Sequence, residues 1–472
     1  MNTPKCILLV ATASISCASV LAFAQESIPV GHSKSNARAQ DGTYISWREH
    51  IIDDTERAGI SISGSDGLVM ADLDGDGYLD IVSVHESDTT YDGVADGHVR
   101  VAYGSADPNS WTLRTLAEGA EAGAAEDVSI GDINRDGHLD IIIACELSHL
   151  LYLQNPGKNV RDTKWPRVIP PLTKDRGSYI RVFLVDFDGD GRLEAVAPNK
   201  GEQNPDGRQE KKAISIYTIP DNPLDGDAWK ETVLGTYVVP QNSEPIDLDG
   251  DGDSDIVCGI RGENRILWFE NISKGSLTFE EHNINVDGPG TGGFNMAYVD
   301  LNGDGRLDIV APSGPAITPG LIWLEQPATS NQEWLSHPIG TMTPDLLVGF
   351  TVADINGDGA QDIIGGSYSR GARDQDGDIG IDGMLGRIAW FENPGEASDA
   401  WIRHDISRRK RGMFDKFIAR DMDDDVDIDF VSTRGNSDPY DGVFWLEQVR
   451  TREPQLRFTP ARKNESKEVP LP

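Results

Sequence analysis

The chain has 472 residues and a formal net charge of −36, with 78 acidic side chains against 42 basic ones. An acidic surplus of that size excludes a nucleic-acid binder, which needs a basic footprint. Beyond the N-terminal segment, no stretch is long and apolar enough to span a membrane.

The chain opens with Lys5, an apolar run from Ile7 to Phe23, and Ala22-Phe23-Ala24 before Gln25. This is the pattern of a secretory signal peptide over residues 1–24, cleaved after Ala24, and it implies a secreted or periplasmic protein. Cys17 raises the alternative of a lipoprotein, but Ser14-Ile15-Ser16 makes a poor lipobox. Two of the four cysteines lie in this segment, and the other two, Cys145 and Cys258, are read as buried thiols. Residues 25–43 are polar and read as a linker.

The next stretch organises everything that follows. Asp72-Leu73-Asp74-Gly75-Asp76-Gly77-Tyr78-Leu79-Asp80 is a nine-residue pattern that starts again at Asp132, Asp186, Asp247, Asp300, Asp354 and, altered, at Asp421. Recurrence at a near-constant period marks a repeat architecture. Positions 1, 3, 5 and 9 carry side-chain oxygens: Asp72, Asp74, Asp76 and Asp80 in the first copy, then Asp132, Asn134, Asp136 and Asp140, then Asp186, Asp188, Asp190 and Glu194. The fourth to sixth copies supply Asp247, Asp249, Asp251 and Asp255, then Asp300, Asn302, Asp304 and Asp308, then Asp354, Asn356, Asp358 and Asp362. Hard oxygen ligands on alternate residues of a tight loop suit Ca2+, and Gly77 at position 6 permits the left-handed turn. An EF-hand would need a bidentate Glu at position 12 between helices. Here position 9 runs into Ile81-Val82-Ser83-Val84, a β-branched strand. The seventh copy has Val426 where the turn needs glycine, so a weak or empty site is expected there. With so many near-identical copies, the loops read as architectural clips.

Two further elements recur with the loops. One is a short apolar strand, as in Ile266-Leu267-Trp268-Phe269. The other is an aromatic-led strand, as at Trp47-Arg48-Glu49-His50, Trp111, Trp165, Trp229, Phe279, Trp334-Leu335-Ser336-His337 and Trp401-Ile402-Arg403-His404. Each unit therefore has four strands: A before the loop, B after it, then C and D. Four-stranded units at this period read as propeller blades, and seven loops predict an all-β, seven-bladed β-propeller over residues 44–450, with 451–472 as a C-terminal tail. The strand at Trp47 has no A, B or C partner of its own. The simplest closure sets it beside the last C strand at Val443; the alternative gives that place to Leu456-Arg457-Phe458.

These repeats resemble the FG-GAP or VCBS family, which includes the integrin α propeller, across roughly residues 45–450. The resemblance implies the fold and calcium in the loops and leaves function open, because one fold hosts many activities. In architecture the chain is similar also to seven-bladed propeller polysaccharide lyases and to the propeller of fungal sugar dehydratases.

Function is expected on the face opposite the loops, where connections vary in length and chemistry. Cations concentrate there: Lys174, Arg176, Lys200, Arg261, Arg370, Arg373, the run Arg408 to Arg411, Lys416 and Arg434. They either form a site for an anionic ligand, with Lys200, Arg261, Arg370 and Arg434 as substrate-binding residues, or they pair with loop carboxylates such as Asp175, Asp374 and Asp415. His50, His282, His337 and His404 occupy repeat positions on outer strands and read as structural. That leaves His85, His98 and His149 near the variable face, with His85 the leading acid–base candidate. Tyr179, Tyr237 and Tyr368 map near the same face, and Tyr179 and Tyr368 join His85 as catalytic candidates. Asp374 to Asp382 copies the calcium spacing within a long connection, with Ile379 in place of the turn glycine.

Two readings follow. One is a polysaccharide lyase that cleaves uronic-acid-containing glycan by β-elimination, Arg or Lys neutralising the carboxylate and His or Tyr moving the proton. The other is a non-catalytic module binding glycan or protein. A monomer is expected in either case.

Overall fold

The computed structural model describes residues 28–472 apart from 88–95, 148, 163, 203–209, 289, 316, 330–331, 371–375, 377–378 and 396–399. The expected signal peptide lies outside the described residues. The described strands form seven sheets with an antiparallel A, B, C, D order, six of them built on four consecutive strands. Blade one is Ser65–Ala71, Asp80–His85, His98–Tyr103 and Thr112–Glu118. Blade six, Leu346–Ala353, Asp362–Tyr368, Gly386–Glu392 and Ile402–Arg409, shows the same order with longer outer strands.

The seventh sheet is made from both ends of the chain. Its first three strands are Phe417–Arg420, Asp429–Arg434 and Gly442–Thr451. The fourth is the N-terminal strand Tyr44–Asp54, paired antiparallel with the third from Tyr44↔Thr451 to Asp54↔Gly442. Phe458–Thr459 then adds in parallel outside it, opposite Trp47 and Arg48. The two candidate closures are thus both present, one as the fourth strand and one as a fifth, and together they cover an edge that would otherwise offer unpaired amides.

The core is a ring. Seven apolar clusters each fill one blade-to-blade interface. The last of them joins Leu68, Ile81 and Ala102 of blade one to Val431, Val443 and Trp445 of blade seven and so closes the circle. The alternation of a strand sends successive side chains to opposite faces, and here both faces meet a neighbouring blade, so strand B reads as a continuous apolar run. A polar stitch reinforces the packing. Asn271 follows strand C of blade four and donates from Nδ2 to the carbonyl of Phe187 in blade three at 2.8 Å. Asn155, Gln326 and Gln448 reach back to Leu73, Leu248 and Ile355 in the same way, at 3.0, 2.8 and 3.1 Å.

The recurrent histidines are explained by cross-strand pairing. His282, His337, His404 and His50 stand directly opposite Trp268, Trp323, Trp390 and Trp445 and stack on those rings at centroid distances of 4.2–5.0 Å. Each Nε2 also meets the Glu two residues after the Trp, at 2.6–2.9 Å. Cys145 and Cys258 are buried free thiols.

The segments expected as linker and tail pack against the body. Ala37 and Ala39 join the core between blades six and seven, Val30 donates its amide to Val469 at 3.1 Å, Ser466 and Val469 are buried, and the Glu465 side chain is 7% exposed. They cannot be solvated appendages, because each end of the chain supplies the other's hydrogen-bond partners.

Asn271→Ala should destabilise the protein by about 1–3 kcal/mol, because the buried Phe187 carbonyl loses this donor. Urea titration with an unchanged m-value measures the difference, and no change in midpoint would remove the stitch from the account.

Candidate functional site

The acidic loops curl round their first carboxylate. In the first loop Gly75 and Asp76 donate backbone amides to Asp72 Oδ1 at 2.8 and 3.1 Å, and Gly77 donates to Oδ2 at 3.0 Å. Asp300 and Asp354 are held in the same way. The ninth position is buried and ties the loop to the exit of strand C. Asp80 accepts from Leu73 and Gly104, both at 2.9 Å, and Asp255 accepts from Leu248 and Asn271 at 3.0 and 2.9 Å. Burial first, and the neighbouring loop carboxylates after it, push these acids up: to about 6 at Asp80, Asp140 and Asp308, about 7 at Glu194 and Asp255, and about 8 at Asp362 and Asp429.

The donor set fits a hard cation. Carboxylate oxygens of Asp72, Asp74 and Asp80 lie within 4.8 Å of one another, as do those of Asp186, Asp188 and Glu194, and of Asp247, Asp249 and Asp251. Arg161 leans into the first loop, 3.1 Å from Asp76 and within hydrogen-bond reach of Asp74, one positive charge against that group of carboxylates. In the seventh loop Asp421, Asp423 and Asp425 converge as well. Val426 meets the need for a left-handed residue at φ +81°, with its side chain 88% exposed.

On the opposite face the repeat builds a mouth around the central channel. Two residues per blade define it. One lies six positions before each loop, at the start of strand A: Asp66, Glu126, Ile180, Gln241, Phe294, Val348 and Asp415. The other lies six positions after each loop's last acid, at the end of strand B: Glu86, Glu146, Lys200, Arg261, Gly314, Tyr368 and Gly435. The fixed loop length keeps the two in step, and backbone hydrogen bonds such as Glu86 to Gly64, Glu146 to Ala124, Lys200 to Ser178 and Arg261 to Val239 repeat the same local pairing. At the first position a β-bulge interrupts the ladder, between Ser65 and Leu68, Ala125 and Asp127, Pro240 and Asn242, and Leu347 and Gly349. A bulge re-aims one side chain. Gly67, in the first bulge, has no room for more, since a Cβ there would lie 2.7 Å from the Glu126 carbonyl.

The mouth is divided into sectors. Blades one and two give four carboxylates, Asp66, Glu86, Glu126 and Glu146. Blades three and four give the cations Lys200 and Arg261. Blades five and six give Phe294, Val348 and Tyr368, packed in one apolar cluster with Ile180, Ile317 and Met413. Just below, Arg181 donates to Asn295 Oδ1 at 2.9 Å and to Asp415 Oδ2 at 3.4 Å, and Asn295 donates to the Val348 carbonyl at 2.7 Å, which braces the inner strands across the channel. Burial first, then the charge of Glu146, pushes Glu126 up to about 8. Glu244, deeper in the channel, is pushed by burial to about 7.

The sequence-derived candidates scatter over this frame. Lys200 lies at the mouth but is corrected from a ligand-binding to an interior group, since its side chain is 7% exposed and its ammonium is paired with Glu146. Tyr368 is half-buried there, bridged to Met413; Arg261 is half-buried at the rim, and Arg370 is exposed two residues beyond Tyr368. His85 does not reach the mouth. Its side chain is 0% exposed, held between Ser65 Oγ at 2.6 Å and Ser83 Oγ at 3.0 Å, and burial keeps the ring neutral. Arg434 is 2% exposed and faces Glu465 at 2.7 Å. Tyr179 is buried against Tyr217 with the two hydroxyls 3.3 Å apart. His85, Tyr179 and Arg434 are therefore corrected from ligand-facing to interior groups. His85 and Arg434 lie one residue short of the mouth position, and the alternation of strand B turns them between blades.

Part of the wider cationic set is internal too, whereas Lys174 and Arg176 are exposed. Arg408 grips Asp345 with two bonds of 2.7 and 2.8 Å, Arg387 lies 2.6 Å from Asp405, and Arg409 meets Glu49 at 2.8 Å. Of the Asp374 to Asp382 stretch, residues 371–375 and 377–378, Arg373 and Asp374 included, lie outside the described residues. Asp376 accepts from Ser466 Oγ and the Lys467 amide at 2.7 and 3.1 Å.

Sequence reading missed Asp66, Glu86, Glu126, Glu146 and Arg181. The available signal was a polar residue five or six before the first Asp of nearly every loop, in strands otherwise rich in apolar residues.

Comparison with known proteins agrees with this architecture. Residues 72–143 and 247–311 match the family model described as FG-GAP-like repeat, so the chain is a seven-bladed propeller carrying FG-GAP-like repeats. No curated protein matches it. Among solved structures it is similar to YCF48 from Cyanidioschyzon merolae, at 11% identity and TM-score 0.47 over 85% of this chain and 98% of that one. It is similar also to rhamnogalacturonan lyase YesW, at 12% and 0.43 over 93% and 77%, and to BBS1N solved in complex with ARL6DN, at 11% and 0.42 over 84% and 95%. At these values none of them carries a function across. No helix among the described residues is long and apolar enough to cross a membrane.

Two outcomes are expected. Val426→Gly should stabilise the protein by about 1 kcal/mol by relieving a β-branched residue at positive φ, read as a higher urea midpoint; a lower midpoint would show that the turn carries no strain. Glu465→Gln should cost about 3–5 kcal/mol at pH 7, because Arg434 is left buried without its counter-charge. Burial raises the Glu465 carboxyl, but Arg434 and Arg409 outweigh it and hold it at about 2, below its ordinary 4.5. A lowered native pKa gives stability that is present above about 4.5 and lost as pH falls towards 2. The gap between wild type and variant should therefore narrow over that window in denaturation curves, and a gap independent of pH would show that charge is not the cause.

Proposed function

We propose that this is an exported, calcium-clipped propeller that binds an acidic glycan at the mouth opposite the clips. The observation that supports the ligand class is the division of the mouth into sectors. Arg261 presents positive charge to a carboxylate, and the half-exposed ring of Tyr368 beside Phe294 offers a face on which a sugar can lie. The clips are the scaffold: Ca2+ bound to the loops offsets buried acid that otherwise resists ionisation. Within this reading Asp72, Asp74, Asp76 and Asp80 and their counterparts through Asp362 are calcium ligands, and Arg261 and Arg370 meet the glycan.

Cleavage by β-elimination is the second reading. It is favoured by Tyr368, the one proposed catalytic residue that remains partly exposed at the mouth. Its phenol would move the proton while Arg261 neutralised the uronate carboxylate.

One set of experiments separates the readings. Chelation should lower the melting temperature by several degrees or more, since an ion bound only to the native state stabilises by mass action; an unchanged melting curve removes calcium from the scaffold. With calcium present, Arg261→Ala should weaken binding of acidic polysaccharide by about tenfold or more and leave neutral polysaccharide unaffected. Equal affinities of wild type and variant across an acidic panel would overturn the mouth as a glycan site. Growth of unsaturated-uronate absorbance, abolished by Tyr368→Phe, would establish the lyase, and a flat trace across the panel leaves binding alone.

A further inference from the structure

The carboxylates of blades one and two form a group of a different kind from the loops. Asp66, Glu86 and Glu126 come from two neighbouring blades, and one oxygen from each lies within 4.8 Å of the others. All three side chains are buried. The loops are exposed turns whose carboxylates are taken up by their own backbone amides. This group is assembled from repeat positions 60 residues apart, Asp66 with Glu126 and Glu86 with Glu146, where two bulges aim the strand A acids towards one point.

A second observation points to a ligand. Glu146 is the blade-two counterpart of Glu86. One of its oxygens takes the Lys200 ammonium, and its Oε2 is buried and accepts no hydrogen bond, in a side chain only 5% exposed. Its backbone amide donates to the carbonyl of Ala124, two residues before Glu126, at 2.8 Å, and its carboxylate is the strongest charge acting on Glu126, so Glu146 borders the group. An acceptor sealed from water without a donor costs about 1–3 kcal/mol, and more when charged; a cation beside it removes that cost. Ligands on opposite sides of one Ca2+ at about 2.3–2.6 Å stand roughly 5 Å apart, and those of a smaller divalent ion stand closer. Oxygens within 4.8 Å of one another therefore fit round a single ion. All four donors are hard carboxylate oxygens, which selects Ca2+, Mg2+ or Mn2+ over softer metals.

We propose that Asp66, Glu86 and Glu126, with the second oxygen of Glu146, hold one divalent cation at the mouth of the channel. Lys200, drawn to the other oxygen of Glu146, fixes the orientation of that ligand. This site stands whether or not the loops bind calcium and whether or not the ligand is a glycan.

The test uses the full mature chain and Mn2+ as probe, with Ca2+ absent. Metal analysis after equilibrium dialysis should show one Mn2+ fewer per chain in Glu86→Gln and in Glu126→Gln than in wild type. Asp247→Asn, in a loop, should keep the channel ion. Titration should show that ion bound at least about tenfold more weakly in the two glutamine variants, the scale of loss seen even when outer partners of a metal are removed. Crystals of wild type soaked in MnCl2 should show an anomalous peak between Asp66, Glu86 and Glu126, which decides the matter even if a variant does not fold. Wild-type crystals with no such peak overturn the proposal, as do folded glutamine variants with wild-type stoichiometry and affinity. Loss of Mn2+ from Asp247→Asn alone would locate the ion in the loops and overturn it too.

Discussion

A buried carboxylate at the end of each acidic loop sets the terms for the rest of the propeller. Asp80, Asp140, Asp255, Asp308, Asp362 and Asp429 each take an amide from the loop and an amide from beyond strand C, so one side chain fixes the A–B turn against the C–D turn. The position demands an acid, and burial makes that acid reluctant to ionise. Loop carboxylates close by raise the cost further. A proton on the acid removes this cost, and the Ca2+ proposed above would remove it while all the oxygens of the loop stay charged. Six such fixtures on one face hold the strand A starts and strand B ends in constant register on the other, and that register composes the mouth.

The mouth is then a matter of which residues the repeat has accepted at two positions. Where the inner strand carries Asp66 or Glu126 the mouth is acidic; where it carries Ile180, Phe294 or Val348 it is apolar. A polar layer beneath, from Arg181 through Asn295 to Asp415, ties opposite blades together across the channel. Buried polar networks of this sort are costly unless satisfied, and this one is bonded to backbone as well as side chains. It gives the mouth a rigid floor while its rim varies.

The fold was legible because its signals are local. A nine-residue loop, a β-branched run and a Trp-x-Glu strand opposite an aromatic-x-x-His strand all lie within one repeat, and even the odd N-terminal strand declared itself by lacking a blade. The site was less legible for two reasons. His85 and Arg434 stand at strand ends, as expected, but Cys145, Ile260 and Ser367 hold the equivalent position in other blades and are fully buried; comparison down the repeat shows that this position faces a neighbouring blade. The true mouth position, one residue on, holds Glu86 and Gly435. A one-residue shift along a strand exchanges its faces. The second reason is distance in sequence. Arg409 is neutralised by Glu49, Arg408 by Asp345 and Arg434 by Glu465, pairings that no local pattern announces.

Those pairings gather where the ring closes, and closure explains them. Blade seven joins strands from the two ends of the chain, Tyr44–Asp54 and Gly442–Thr451, so no short turn enforces their register, and the entropy of bringing the ends together falls on this sheet. Hydrogen bonds between the strands are the same here as in any blade. The additional restraint comes from Arg100 on Asp53 at 3.1 Å, from Arg409 on Glu49, and from Glu468, which accepts from Gly31 at 3.0 Å and Ser407 at 2.6 Å. Each spans the two ends or ties one of them to a neighbouring blade. Buried ion pairs contribute little net stability but penalise every arrangement that separates them. At a closure that must select one register among many, that penalty is the useful property, and it accounts for so many buried cations in a chain that is otherwise strongly acidic.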